Sequence, residues 1–336
     1  MKPRIGIVLG DPGGIGPELI ARVLADDALR TQAQILIIGD SFLLADGAKV
    51  AGLDCPLTIV HRSDDIQLDD ETPVLLELNT INEDAVRRGE ALAAGGQSVL
   101  TALGAALDLH KAGLIDAIMF APLNKQAMHL SGYGFNDELH WFAHRLGHNG
   151  LLGEFNVLDQ LWTSRVTSHV GLRQVCELIT EQAVVDAIEM VNAALKSAGN
   201  PAPRIAVAAL NPHAGDGGLF GREELDIIAP AIRRACDKGI DADGPWPADT
   251  IFLRGRDGEC DAVVTMYHDQ GQIAMKLMGF DKGVTVQGGL PVPITTPAHG
   301  TAYDIAGKGI ANPEATRRAF TLACDMARAR RDAHGS

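Results

Sequence analysis

The apolar positions of this chain fall into two patterns. Short continuous apolar runs at residues 4–9, 35–39, 74–78, 116–120, 205–210 and 262–266 predict strands buried on both faces, as in a parallel sheet. Between them, apolar residues recur every three or four positions. This predicts helices over 18–25, 41–51, 89–110, 177–198, 223–238 and 314–333, with Gly95-Gly96 as a break in the third. Strands alternating with helices point to an α/β fold. At 336 residues, two domains or one two-lobed unit are expected. Asn200-Pro201-Ala202-Pro203 reads as a short linker.

Composition removes several function classes. With 46% hydrophobic residues the chain can fill a core, and its formal net charge of -14 with no basic block argues against a nucleic-acid partner. Cys55, Cys176, Cys236, Cys260 and Cys324 are scattered without a C-x-x-C pair. That fits a reducing compartment and supports neither a disulfide framework nor a cysteine zinc site. A strand beginning at Arg4 leaves no place for a signal peptide, and no apolar run would span a bilayer. A cytoplasmic protein is expected.

Candidate chemistry gathers where strands end, because open α/β sheets place ligands at the C-terminal ends of their strands. Asn211-Pro212-His213-Ala214-Gly215-Asp216-Gly217-Gly218 follows one apolar run, and Tyr267-His268-Asp269-Gln270-Gly271 follows another. Arg165-Val166-Thr167-Ser168-His169 is a weaker third case. Three strand-end histidines suggest one shared metal. Lys125 also follows a strand, where either a surface or an active-site place suits it. His140, His144 and His148 share a helical face, yet no acidic ligand accompanies them and Gly147 weakens the last turn, so a polar helix face is expected. Asp249 reads as a helix cap or as a carboxylate near a metal. The Gly- and Ala-rich segment from His299 to Pro313 suits close approach of backbone to a flat or phosphorylated ligand. Gly10 to Gly16 follows the first strand without G-x-G-x-x-G spacing, so a tight strand-to-helix connection is as good a reading as a dinucleotide loop.

Five of these motifs in order (residues 10–18, 211–218, 244–250, 267–271 and 299–302) resemble the 4-hydroxythreonine-4-phosphate dehydrogenase family of pyridoxal phosphate biosynthesis. The likeness runs nearly end to end. Residues 299–313 are also similar to the cofactor loop of isopropylmalate and isocitrate dehydrogenases. The resemblance implies a two-domain α/β/α homodimer with its active site in the interdomain cleft. Residues 1–128 plus 283–336 would form the nucleotide-binding side, and 129–282 the metal, substrate and dimerisation domain. It implies a divalent metal, commonly zinc with magnesium, manganese or cobalt as alternatives, on His169, His213 and His268, one of them from the neighbouring subunit. It places NAD or NADP along His299, Gly300, Thr301, Ala302, Asp304, Gly307 and Asn312. It places the substrate-contacting lysine at Lys276, with Lys125 and Asp249 as further candidates for proton transfer and carboxylate binding.

The chain departs from the family at its substrate positions. Glu138-Leu139-His140 stands where His-Thr-Glu is usual, Thr285 where Asn is usual, and Ile294 where the phosphate-binding Arg is usual. A phosphate without its Arg loses a bidentate contact that Lys replaces poorly. The expected reaction is metal- and NAD(P)-dependent oxidation of a hydroxy acid with β-decarboxylation. The substrate is either 4-hydroxythreonine 4-phosphate or an unphosphorylated carboxylated cis-dihydrodiol such as that from terephthalate, for which Phe135 and Trp141 would suit a ring. A metal-dependent hydrolase and a non-catalytic binding protein are the competing classes.

Overall fold

The computed structural model describes residues 2–335 and divides the chain into two compact units, residues 1–149 with 290–336, and residues 150–289. The first unit opens with β1 (Arg4–Val8), α1 (Gly16–Leu24), α2 (Asp27–Arg30), β2 (Gln34–Gly39), α3 (Ser41–Ala51), β3 (Thr58–Val60) and β4 (Val74–Glu77). It continues through α4 (Ala93–Lys111), β5 (Ala117–Phe120), α5 (Lys125–Leu130) and α6 (Glu138–Leu146). Its strands pair in parallel in the order β3-β4-β2-β1-β5, with Ile5 opposite both Ile35 and Ala117. Ile5, Ile7, Leu36, Ile37 and Ile38 are buried because both faces of such a sheet are covered. Val99, Ala102, Leu103, Ala106 and Leu107 form the inner stripe of α4 and join Val8, Ile38 and Phe120 in one core.

Gly95 and Gly96 do not break α4, which begins at Ala93 rather than Gly89. A Cβ on Gly96 would stand 2.1 Å from the carbonyl oxygen of Ala127, so the glycine lets α5 pack directly on α4. The unit boundaries also differ from the sequence expectation. A division at 128 would cut α5, and α6 carries Trp141 and Phe142 into the first unit's core. There Phe142 is fully buried with its ring 5.9 Å from that of Phe120. Truncating such a phenylalanine costs about 3–5 kcal/mol, enough to hold the helix to this unit.

The second unit contains β6 (Gly153–Leu158), β7 (Leu161–Arg165), α7 (Leu172–Leu178), α8 (Glu181–Ser197), β8 (Arg204–Ala208), α9 (Ala229–Asp237), β9 (Asp241–Trp246), α10 (Ile251–Arg256), β10 (Ala262–Thr265), α11 (His268–Gly279) and β11 (Val284–Gly288). The strand order is β11-β6-β7-β10-β8-β9. β6 runs antiparallel to both of its neighbours, and the pairings from β7 to β9 are parallel. Val184, Ile188, Val191 and Leu195 give α8 its buried stripe. Residues 200–203 connect α8 to β8 inside this unit, so they are a loop rather than a link between domains.

Back in the first unit, β12 (Ile294–Pro297) pairs in parallel with β5, and α12 (Glu314–Gly335) follows. Among the described residues, no helix is long and apolar enough to cross a membrane.

Candidate active site

In the second unit the parallel run β7-β10-β8 sends three loops off one edge of the sheet, and these loops carry His169, His268 and His213. The first two are sewn together. Thr167 donates its N–H at 3.1 Å and its hydroxyl at 2.8 Å to the carbonyl of Met266, which holds the loop after β7 against the start of α11. The rings of His169 and His268 are consequently 5.6 Å apart between centroids. Both line a cavity of about 240 Å³ with Thr167, Ser168, Val170, Leu172, Val175, Tyr267 and Asp269. His169 stands at φ 28°, a left-handed backbone that a histidine adopts only under constraint.

His268 Nδ1 lies 2.7 Å from the Asp269 carboxylate. That acceptor places the ring proton on Nδ1 and leaves the Nε2 lone pair available, the arrangement found behind metal-bound histidines. His213 stands apart from the pair, exposed, with its ring 6.4 Å from that of Phe220. No group of three metal-ligating side chains assembles among the described residues. The shared site expected for three strand-end histidines is thus a pair in this chain, with His213 outside it.

Residues 212–218 form a turn in which His213 (φ 53°), Ala214 (φ 54°), Gly215 (φ 78°), Asp216 (φ 44°) and Gly217 (φ 68°) are all left-handed. Such a conformation costs about 1–3 kcal/mol at a non-glycine residue and persists only where its surroundings impose it. Behind the turn is Glu224, 2% exposed. Its carboxylate accepts the N–H groups of Leu210 at 2.9 Å and Asn211 at 2.7 Å, and the Asn211 side-chain amide at 3.0 Å.

Sequence reading missed Glu224, which is buried, and two half-buried polar anchors. Gln270 accepts the N–H of Met266 at 2.7 Å and donates to the carbonyl of Ala209 at 2.8 Å, tying the ends of β10 and β8 together. Arg165 bonds to Ser168, Asn156 and Glu154 at 2.9–3.1 Å, fixing the residue before His169. Their only trace in the sequence is a polar residue beside an apolar run, which solvated residues share. Asn156 also reaches Gln272 and the hydroxyl of Thr285. Thr285 is therefore a buried member of a polar network, 8% exposed. Lys276 is exposed two turns along α11 from His268, on the same helical face. Asp249 is exposed and does not cap α10, whose N-cap position is Thr250.

The remaining candidates belong to the first unit. Lys125, exposed at the start of α5, pairs with Glu138 at 3.9 Å. His140 is exposed and lies 2.6 Å from the Asp137 carboxylate. Burial pushes Asp137 up, but the backbone N–H and ring of His140 outweigh it and hold the carboxyl below its ordinary value. Leu139, by contrast, is 6% exposed and Ile294 is fully buried in the core. Both are aliphatic side chains on inward-facing positions, where packing against neighbours is the ordinary outcome. Phe135 and Trp141 likewise pack with the same core. α6 ends at Leu146 with Gly147 in a left-handed cap, so His148 leaves the face shared by His140 and His144.

The loop from His299 to Asn312 is braced by the loop after β1. The N–H of Ile15 bonds to the Thr301 carbonyl at 3.1 Å, and a Cβ on Gly14 would stand 2.9 Å from Thr301 Cβ. This glycine accommodates another segment of protein, which favours the tight-connection reading of residues 10–16. Ala302 is left-handed at φ 43°, Asp304 and Gly300 are exposed, and Gly307 lies under the Arg88 guanidinium. Asn312 accepts the N–H of Glu314 at 3.0 Å. His299 donates Nδ1–H to the Gly300 carbonyl at 3.0 Å, which leaves Nε2 buried with no partner. The Tyr303 hydroxyl is buried too, beside the Asp11 carboxylate. Burial raises the pKa of both groups. A buried acceptor left without a partner, as His299 Nε2 is, marks a place where a ligand can complete the bonding.

Comparison with known proteins covers nearly the whole chain. Residues 31–323 match the model of a family described as pyridoxal phosphate biosynthetic protein PdxA. A Pseudomonas aeruginosa protein named "Putative 4-hydroxythreonine-4-phosphate dehydrogenase 2" is 55% identical over 328 residues, 97% of each chain. Among solved structures, the 4-hydroxythreonine-4-phosphate dehydrogenase of Klebsiella pneumoniae superposes with a TM-score of 0.85 at 35% identity, covering 97% of this chain and 98% of that one. A terephthalate 1,2-cis-dihydrodiol dehydrogenase from Burkholderia xenovorans LB400 superposes with a TM-score of 0.69 at 28% identity, with the same coverage.

Proposed function

Because the chain belongs to the PdxA family, and so is an NAD(P)-dependent dehydrogenase acting on a hydroxyl group, we propose that it oxidises a small hydroxy acid with loss of the β-carboxylate, aided by a divalent cation. The observation that carries the proposal is the His169–His268 pair in one cavity, with Asp269 fixing the His268 tautomer. Two neutral imidazoles suit zinc, and His213 of a second copy would supply the third ligand. A cation held there supplies Lewis acidity that makes a substrate hydroxyl easier to deprotonate, and NAD(P) supplies the hydride acceptor.

The chain's own residues would hold and orient the reactants. Lys276 lies on the His268 face of α11, where an ammonium would bind the substrate carboxylate or take part in proton transfer. Lys125 and Glu138, already paired at 3.9 Å, offer a second proton-transfer or carboxylate-binding group. His140 and Thr285 remain substrate-side candidates, and Asp249 is an exposed carboxylate available to the metal site. Residues 299–312 would carry NAD(P), with His299 Nε2 and the Tyr303 hydroxyl meeting it.

A homodimer is part of the same proposal. Large hydrophobic side chains left exposed are concentrated in the second unit, including Leu172 (69%), Leu219 (73%), Ile273 (60%) and Leu277 (84%). Such a concentration supports association through this unit. Second-unit pairing of two copies would cover it and bring in the additional histidine.

For the substrate, the higher likeness to 4-hydroxythreonine-4-phosphate dehydrogenases favours a phosphorylated hydroxy acid. One observation favours an unphosphorylated carboxylated dihydrodiol instead: the position of the usual phosphate-binding Arg is filled by the fully buried Ile294. The deciding experiment follows NAD(P)H formation by zinc-loaded protein with 4-hydroxythreonine 4-phosphate and with carboxylated cis-dihydrodiols. Turnover of the first alone assigns the phosphate ester, and turnover of the second alone assigns the diol. No NAD(P)H from either rejects the proposed reaction.

A further inference from the structure

We propose that Glu224 is a positioning residue that presents His213 to the metal, an inference that rests on the ligand assignment above. Glu224 opens a π-helical turn (Glu224–Ile228), a local irregularity that re-aims side chains. The turn directs its carboxylate inward, where both oxygens are occupied by the segment entering the His213 turn. Oε1 takes the N–H groups of Leu210 and Asn211, and Oε2 takes the Asn211 amide. Asn211 Nδ2 is shared with Glu223 Oε2 at 2.7 Å, so two adjacent acids grip one amide. A Cβ on Gly215 would lie 2.6 Å from Glu224 Oε2, which shows how closely the turn folds over this carboxylate.

The physical need for such an anchor is set by the backbone. His213, Ala214 and Asp216 are non-glycine residues in the left-handed region, and isolated chain does not hold three of them together. Beyond its own 3₁₀ turns, the segment is closed at its exit by bonds from Leu219 N to Asp216 O at 3.4 Å and from Phe220 N to Gly215 O at 3.2 Å, while its entry is held by Glu224. With its entry fixed by the carboxylate, the turn is held left-handed and the imidazole direction is set. Without the carboxylate, the strained residues relax toward right-handed conformations and His213 swings away. Glu224 lies outside the cavity that holds His169 and His268, so it acts on metal binding only through His213.

The test is zinc affinity, measured on the metal-free full-length protein by competition with a chromophoric chelator, alongside thermal unfolding. Glu224→Gln should weaken zinc about 10–100-fold, the usual effect of removing a group that orients a ligand. His213→Ala should weaken it at least as much. The double variant should bind no more weakly than His213→Ala alone, because one route cannot be lost twice. Unchanged affinity in Glu224→Gln, or additive losses in the double variant, would overturn the inference while leaving the metal site standing. Unchanged affinity in His213→Ala would instead remove the ligand assignment, and this inference with it. Should Glu224→Gln fail to fold, Glu224→Asp decides: the shortened acid keeps the charge but loses the reach to the N–H groups of Leu210 and Asn211, so weaker zinc in the folded variant supports the inference, and unchanged zinc overturns it.

Discussion

Asp269 accepts a hydrogen bond from Nδ1 of His268 at 2.7 Å, and this contact between sequence neighbours decides which ring nitrogen is left for a metal. Asp269 is exposed, so its contribution to folding is small. If His268 holds the proposed cation, Asp269 orients that ligand. Asp269→Ala is expected to lower zinc affinity about 10-fold or more with little change in unfolding temperature, as a chelator-competition titration would show. A loss of stability with intact zinc binding would contradict this role.

Leu277, the most exposed large hydrophobic side chain among the described residues, tests the dimer. Leu277→Asp should shift the protein toward monomer in analytical ultracentrifugation, since an unpaired carboxylate in a covered apolar surface is costly. If His213 acts from a second copy, the same variant should lose turnover as it loses the dimer. A monomeric natural protein with full activity would count against both statements.

Gly14 touches the proposed cofactor loop through Thr301. Replacement by Ala puts a methyl group 2.9 Å from Thr301 Cβ, so the loop must shift by some tenths of an ångström. Gly14→Ala should raise KM for NAD(P) several-fold while zinc affinity stays unchanged. An effect on zinc with none on the cofactor would show that the loop has another purpose.

Asp116 gives a pH prediction. Burial alone would raise its pKa, but hydrogen bonds and charge contact with Arg4, together with Arg331, outweigh burial and hold it below the ordinary value. A lowered folded-state pKa contributes stability that is present above the unfolded value of about 3.9 and is lost as pH falls through the folded value. Asp116→Asn should therefore reduce stability at neutral pH and flatten the acid limb of a denaturation series. An acid limb as steep as that of the natural chain would assign the pH dependence to other carboxylates.

Much of the fold was legible in local pattern. β1, β2, β5, β8 and β10 fall on apolar runs because a strand covered on both faces has no solvent-facing positions to fill. α3, α8 and α12 declare themselves through their period, since a helix buries one stripe. Strand ends locate His169, His213 and His268 on loops because chain order fixes which residue follows a strand.

What depended on non-local contact was decided by the tertiary structure alone. Gly95-Gly96 reads as a helix break until α5 is found packed against it, and Ile294 reads as a substitution in a site until its side chain is found in the core. His169 meets His268, about a hundred residues away, because parallel strands bring distant loops to one edge of a sheet. Glu224, Gln270 and Arg165 look like ordinary polar residues in the sequence. Only folding takes them wholly or partly out of water, and there each donor and acceptor needs a partner, which makes them anchors of the candidate site.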